Sequence, residues 1–137
     1  VMGDTVNLAS RLEAANKFYG CRSLVAGSTI DLAGPEIEAR EIDKLIVTGQ
    51  TTSQTVFEIM GRKGELSPEQ TRLRELYARG LADYRARQWD EAAKAFNAAL
   101  EAAPGDGPSH AMLERVTTFR ARPPAENWDG AWHIEKG

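Results

Sequence analysis

Asn7 and Arg11 are the residues whose types and spacing could do chemistry. Four apart on a helix, they stack on one face, one turn separated. A guanidinium offers a rigid fork of donors and keeps its charge at any working pH, and a carboxamide both donates and accepts. Held together, the two can act on an oxyanion or a phosphate. The same pair also occurs on solvated helix faces, and spacing alone leaves both readings open. Cys21, His110 and His133 show no metal-ligand spacing. The two histidines read as packed or solvated side chains, and the cysteine as a small residue.

The element that must position the pair is a helix over Asp4–Tyr19. Asp4 or Thr5 can cap it, because a short side-chain oxygen accepts from the free N–H groups of the first turn. No Gly or Pro interrupts this stretch. Val6, Ala9 and Leu12 recur at helical spacing, and Leu8 and Ala15 widen the stripe, so one face is expected to be buried. Gly20 then ends the helix.

The full string Gly3-Asp4-Thr5-Val6-Asn7-Leu8-Ala9-Ser10-Arg11-Leu12-Glu13 resembles the signature of the class III nucleotidyl cyclases, the adenylate and guanylate cyclases. That pattern is Gly, two variable residues, Val-Asn, a variable residue, Ala, a small residue, Arg, then an apolar residue. By this resemblance Asn7 would contact the substrate ribose and orient the reacting group. Arg11 would stabilise charge on the phosphates in the transition state. The implied reaction is attack of the ribose 3′ hydroxyl on the α-phosphorus of ATP or GTP, with loss of pyrophosphate. Cyclic AMP is the favoured product over cyclic GMP. The resemblance also implies a homodimer, since the family's sites form between two catalytic domains. It implies two Mg or Mn ions whose ligands, like the purine-reading residues, are expected upstream of Val1. Residues 1–137 would then supply only the phosphate-clamping side and be inactive alone. Asp4 falls at a variable position of the pattern and reads as a cap.

Farther along, Ser23–Ala26 reads as a short buried strand. Ser28 or Thr29 is expected to cap a short helix, Ile30–Ala33, stopped by Gly34-Pro35. Glu38–Val47 reads as a strand with Ile42, Leu45 and Val47 as its apolar set. After a polar turn, Gly49–Ser53, Thr55–Met60 completes an antiparallel hairpin. Strand and helix mix without regular alternation, which predicts an α+β layer. The resemblance makes residues 1–62 the C-terminal half of a cyclase catalytic domain, part of a ferredoxin-like fold. Some family members carry Gly-Lys in the last hairpin and a further Lys on the triphosphate. Gly49-Gln50 and Gln54 stand there instead, and a neutral amide does not replace that charge.

Gly61–Pro68 reads as a linker, and Ser67-Pro68-Glu69-Gln70 as a helix start with a capping box. Leu73, Leu76, Tyr77, Leu81 and Tyr84 form one helical stripe. Ala92, Ala93, Phe96, Ala99 and Leu100 form the next, after a break near Gln88–Asp90. Met112, Leu113, Val116 and Phe119 form a third, ended by Pro123-Pro124. The spacing of Gly80, Ala92, Phe96, Ala99 and Pro104 resembles a tetratricopeptide repeat. One repeat plus a helix is too little for a solenoid, which needs about three. Residues 63–122 are therefore expected to pack on the catalytic half or on a second chain. They either recruit a protein partner or form a plain helical appendage. Residues 123–137 read as an irregular aromatic tail, docked because Trp128 and Trp132 would each bury a large apolar area.

The composition suits a globular protein: 137 residues, 42% hydrophobic, 27% charged. A net charge of −3 makes no electrostatic case for nucleic acid or an anionic membrane. No apolar run is long enough to span a bilayer, and no basic-then-apolar leader opens the chain. The single cysteine makes no internal disulfide, which fits a reducing, cytoplasmic setting. Val1 runs straight into the motif, so the chain reads as part of a longer protein. Two readings of function follow. One is a nucleotidyl cyclase acting in signal transduction. The other is a catalytically inactive cyclase-fold scaffold whose helices bind a partner.

Overall fold

The computed structural model describes Tyr19, residues 24–47 and residues 53–134. Asn7, Arg11, the cap at Asp4 or Thr5, Cys21 and Gly49-Gln50 lie outside the described residues. So do the side chains of Val47 and His133. Tyr19 is helical. The elements are β1 (Leu24–Ala26), α1 (Gly27–Ala33), a 3₁₀ turn (Gly34–Glu36), β2 (Ile37–Val47), β3 (Gln54–Arg62), α2 (Pro68–Arg85), α3 (Trp89–Ala102), α4 (Gly107–Ala121) and β4 (Trp132–Ile134). The fold is α+β. The sheet order is β1-β3-β2-β4. β3 runs antiparallel to both β1 and β2, and β4 runs parallel to β2.

The hairpin of β2 and β3 forms as its apolar patterning predicts, with one feature that alternation conceals. The register slips between Glu41 and Asp43, so Ile42 is an extra residue in β2. In a regular strand Ile42 and Asp43 would point to opposite faces; a bulge re-aims one of them. Both are fully buried, at 0% exposure. Arg40 and Leu45, at 4%, are buried with them. Tyr77 closes the defect by donating its hydroxyl to the carbonyl of Ile42 at 2.7 Å.

α1 departs from expectation at its start. It begins at Gly27, with Ala26 in the N-cap position and no side-chain cap, so positions 28 and 29 fall inside the helix rather than at its cap. Ala26 is the last paired residue of β1, and the chain turns directly from ladder into helix. Gly34 ends the helix as expected, at φ 76°, where a side chain would be strained.

α2 opens on the expected capping box. Ser67 Oγ accepts from Gln70 N at 3.1 Å, and Gln70 Oε1 accepts from Ser67 N at 2.9 Å. α2 and α3 approach closely at Gly80, where a Cβ would lie 2.8 Å from the Phe96 ring. Phe96 fills that space and meets Tyr77 edge-on, with centroids 5.3 Å apart. The tail docks, as its tryptophans require. Trp128 packs edge-on against Tyr84 at 5.1 Å and against Phe119 at 5.5 Å, and its indole N–H donates to Ala131 O at 2.8 Å. The tail is not wholly irregular, however. Trp132–Ile134 adds to β2 as a parallel edge strand. Three residues are too few to show a period, and the open edge of β2 supplies the template.

One apolar cluster joins sheet and helices. Tyr19, Leu24, Ile42, Leu45 and Val56 pack with Tyr77, Leu81, Tyr84, Phe96, Met112 and Val116. The helical segment thus covers the sheet of its own chain, the first of the two packings expected. Gly80→Leu should destabilise the protein by about 2–3 kcal/mol through overpacking. Chemical denaturation reads this, and an unchanged midpoint would show that α2 and α3 are not in close contact there.

Candidate functional site

Asn7 and Arg11 lie outside the described residues. Tyr19, the last residue of the helix expected over Asp4–Tyr19 and eight residues past Arg11, is described. Tyr19 leads into a buried polar network that sequence reasoning missed. Its hydroxyl donates to Asp43 Oδ2 at 2.6 Å. Arg115, from α4, donates through Nη1 to the same carboxylate oxygen at 2.5 Å and through Nη2 to the Tyr19 hydroxyl at 3.1 Å. Arg115 Nη1 also lies 3.3 Å from the Tyr84 hydroxyl. The other oxygen of Asp43 accepts from Lys44 N at 2.8 Å. The Arg115 guanidinium sits 4.0 Å from the ring centroid of Trp132, so the docked tail closes over it.

A second pair of opposite polarity lies beside the first. Arg40, on β2, donates to both carboxylate oxygens of Asp106 at 3.1 and 2.5 Å, and its Nε reaches Glu58 Oε1 at 3.0 Å. Asp106 is the N-cap of α4, accepting from Ser109 N at 3.1 Å and from Ser109 Oγ at 2.6 Å. The Arg40 guanidinium lies 4.8 Å from the Tyr77 ring. So β2 presents a cation to the start of α4 and an anion to its middle, and α4 answers with the reverse. A helix running the other way would set like charges together. Glu38–Arg74, Glu41–Arg85 and Lys44–Asp129 add partly exposed pairs at 3.4, 2.5 and 3.7 Å. Each of these is worth at most about 1 kcal/mol.

Burial and charge tune the groups in this network. Burial, reinforced by the Asp43 carboxylate, pushes the Tyr19 phenol well above its usual range. Tyr77 is raised likewise, by burial first and then by Asp43. Burial lifts Tyr84 to about 12, against the pull of Arg115. Burial opposes the charge on Arg115, but Asp43, Tyr19 and Tyr84 outweigh it and hold the guanidinium protonated. The network therefore consists of neutral phenols around one fixed ion pair. Its charged members are sealed, Asp43 at 0% and Arg115 at 3% exposure, so it can hold elements in place but cannot admit a substrate.

Little else among the described residues suggests chemistry. No group of three or more His, Cys, Asp and Glu could hold a metal ion there. His110 is exposed, its Nε2 2.9 Å from Pro104 O, as expected of a solvated histidine. Gln54 opens β3, exposed. A groove of about 180 Å³ between α2 and α3 is lined by Leu76, Arg79, Glu91, Lys94, Ala95 and Ala98, and its Lys94 is already paired with Glu91 at 3.3 Å. No described helix is long and apolar enough to cross a membrane. Asp43 did leave a trace in the sequence, a carboxylate set between Ile42 and Leu45. Nothing comparable marked Arg115.

The chain is similar to adenylate cyclases. It is 28% identical over 118 residues to "Adenylate cyclase, terminal-differentiation specific" of Dictyostelium discoideum, a match covering 83% of this chain and 6% of that protein. It is 37% identical over 60 residues to "Adenylate cyclase 1" of Rhizobium meliloti (strain 1021), covering 44% of the chain and 9% of the relative. It is 40% identical over 62 residues to "Adenylate cyclase" of Anabaena cylindrica, covering 43% and 12%. The chain thus spans about an eighth or less of the length of these relatives. No protein-family model matches it, and no solved structure does.

Two measurements check the network. Asp43→Asn should cost about 3–5 kcal/mol, because it strands the buried Arg115 charge. Replacing both partners, Asp43→Leu with Arg115→Met, should cost less than that single change, as read by urea unfolding. The chain's three tyrosines are all buried and raised. Their folded values lie above the unfolded value of 10.0, so the stability they contribute is full below pH 10 and is lost as pH climbs toward about 12. Tyrosinate absorbance should stay flat through pH 10.0 in the folded protein and rise at that pH in the denatured chain. Tyrosinate appearing near pH 10 in the folded state would contradict this burial.

Proposed function

We propose that the intact protein is a nucleotidyl cyclase that forms cyclic AMP from ATP, and that this chain carries the phosphate-clamping side of its site. The observation that carries the reading is similarity to adenylate cyclases of three organisms in a chain that opens with the string Gly3–Glu13. The relatives are named as adenylate cyclases, which favours ATP over GTP.

In this reading Arg11 donates to phosphate oxygens as negative charge moves toward the leaving pyrophosphate. A fixed guanidinium stabilises that transition state more than the ground state, because the charge it meets is still developing. Asn7 holds the ribose so that its 3′ oxygen faces the α-phosphorus, which replaces a search through orientations by a single pose. Both residues act across an interface, so the working unit is a homodimer. The described residues do not suit the two Mg or Mn ions of the proposed reaction. Asp43 is committed to Arg115 and Tyr19, and Asp106 to Arg40 and Ser109. The ions belong to carboxylates elsewhere in the intact protein. Residues 63–122, the tetratricopeptide-like segment, act here as a support for the sheet.

The test is production of cyclic nucleotide by the intact protein, with ATP and with GTP, in Mg and in Mn. Arg11→Ala should lower the rate by about 10²-fold or more, as loss of a transition-state donor does. An unaltered rate would remove Arg11 from the mechanism. A wild-type protein that makes no cyclic nucleotide from either substrate would leave the inactive scaffold as the better description.

A further inference from the structure

Among the described residues, Arg87 is the only one other than glycine at positive φ, at 63°. It stands just past the end of α2, where Arg87 N donates to Tyr84 O at 3.1 Å and Gln88 N to Asp83 O at 2.8 Å. This is the helix stop at which glycine is the usual residue, because a Cβ is disfavoured in left-handed backbone. What arginine adds at this position is a guanidinium laid on the tail. Its Nη1 donates to Pro124 O at 3.1 Å, and its Nη2 donates to Ala125 O. The guanidinium carbon lies 5.6 Å from the ring centroid of Trp128. That indole sits among three further rings, with centroids 5.1 Å from Tyr84, 5.5 Å from Phe119 and 6.0 Å from Trp89. Beyond it, Trp132–Ile134 pairs with β2. Carbonyls held by a cation, an indole anchored among rings and a strand added to a sheet edge are all means by which proteins bind peptide segments.

We propose that the corner of α2 and α3, with Phe119 of α4 and the edge of β2, is a peptide-binding site whose ligand is residues 123–134, docked as a tethered strap that leaves and returns as one unit. The ligand is a segment with two prolines, a tryptophan and a short strand. Pro123 and Pro124 restrict the free segment, so less freedom is lost when it docks. Only three residues of it pair with β2, and Arg87 rather than a ladder takes the carbonyls of Pro124 and Ala125. Pro123, Ala125, Glu126, Asn127 and Asp129 are exposed. Lys44 reaches Asp129 at the partly exposed rim, 3.2 Å from its carbonyl and 3.7 Å from its carboxylate. Short pairing and exposed hydrogen bonds mark a segment that opens more readily than the whole molecule unfolds. Its departure strands no buried charge, since Asp43 and Arg115 belong to β2 and α4 and keep each other. It uncovers Arg115 on the side where the Trp132 ring lies 4.0 Å away.

Hydrogen exchange, and binding of a fluorescently labelled peptide of residues 122–134, are both measured on the full chain. In the wild type the amides of residues 125–134 should exchange together, about tenfold or more faster than those in the middle of α2 and α3. Arg87→Gly suits the left-handed backbone and deletes only the grip on the tail. It should speed tail exchange by about a further tenfold, as loss of hydrogen bonds from a charged group does, and leave α2 and α3 protected. Trp128→Ala in the chain vacates the space among the rings and raises the fraction of open site. That variant should bind the peptide about tenfold or more tightly than the wild type, whose own tail competes. Adding Arg87→Gly to it should cancel the gain, and a peptide carrying the Trp128→Ala change should not bind. Tail amides that exchange only with global unfolding overturn the proposal, and this readout needs the wild type alone. A folded Trp128→Ala chain that binds the peptide no better than the wild type also overturns it. Neither readout involves nucleotide turnover, so failure of the strap and failure of the cyclase reading are distinguishable.

Discussion

The structure depends on one ion pair kept from water, Asp43 on β2 with Arg115 on α4. Neither partner can be buried alone, because an isolated charge in a low-dielectric interior costs several kcal/mol or more. The fold therefore has to bring the strand, the helix and their hydrogen-bond partners together at once. Asp43 points inward only because Ile42 is an extra residue in β2. Arg115 is covered only because the tail returns and lays Trp132 over it. Tyr19 and Tyr84 contribute hydroxyls to the same guanidinium. The apolar cluster supplies the driving force for collapse, and leaving either charge of the pair unpartnered inside it would be costly.

β2 is consequently the element to which most others are referred. Along it, Glu38, Arg40, Glu41, Asp43 and Lys44 each meet an opposite charge from the helices or the tail. The buried pairs fix direction and register, since their polarity alternates. The exposed ones contribute little energy and mainly keep the rim solvated. The aromatic group of Tyr84, Trp89, Phe119 and Trp128 then fills the space between α2, α3, α4 and the tail, with Tyr84 stacked on Phe119 and the other pairs tilted or edge-on. A β-sheet segment and an α-helical segment that read as separate in composition thus share a single interior.

Several elements were legible because their causes are local. Ser67 and Gln70 announce the start of α2 through a reciprocal cap, and Gly34 announces the end of α1 through its backbone freedom. Gly80 and Phe96 entered the sequence reading only through a repeat-like spacing; that a missing side chain on one helix makes room for a ring from the other is seen in the structure. Trp128 and Trp132 announce a docked tail by the area they would otherwise expose. The start of α1 was misread because no side chain caps it; the end of the β1 ladder decides it. β4 was missed because its partner, not its own three residues, makes it a strand.

The residues 3–13 by themselves determined the cyclase resemblance and the choice of Asn7 and Arg11, because that chemistry is carried by residue types at a fixed short spacing. The β2–β3 hairpin, the cap at Ser67 and the stripes of the three long helices were settled the same way, by forces acting within a few residues. Only the tertiary structure decided the network of Tyr19, Asp43, Arg40, Asp106 and Arg115. Its members lie as far as 96 residues apart, and no local pattern requires them to meet. Their pairing follows from a bulge that turns a carboxylate inward and from the cost of leaving any buried charge without its counterpart.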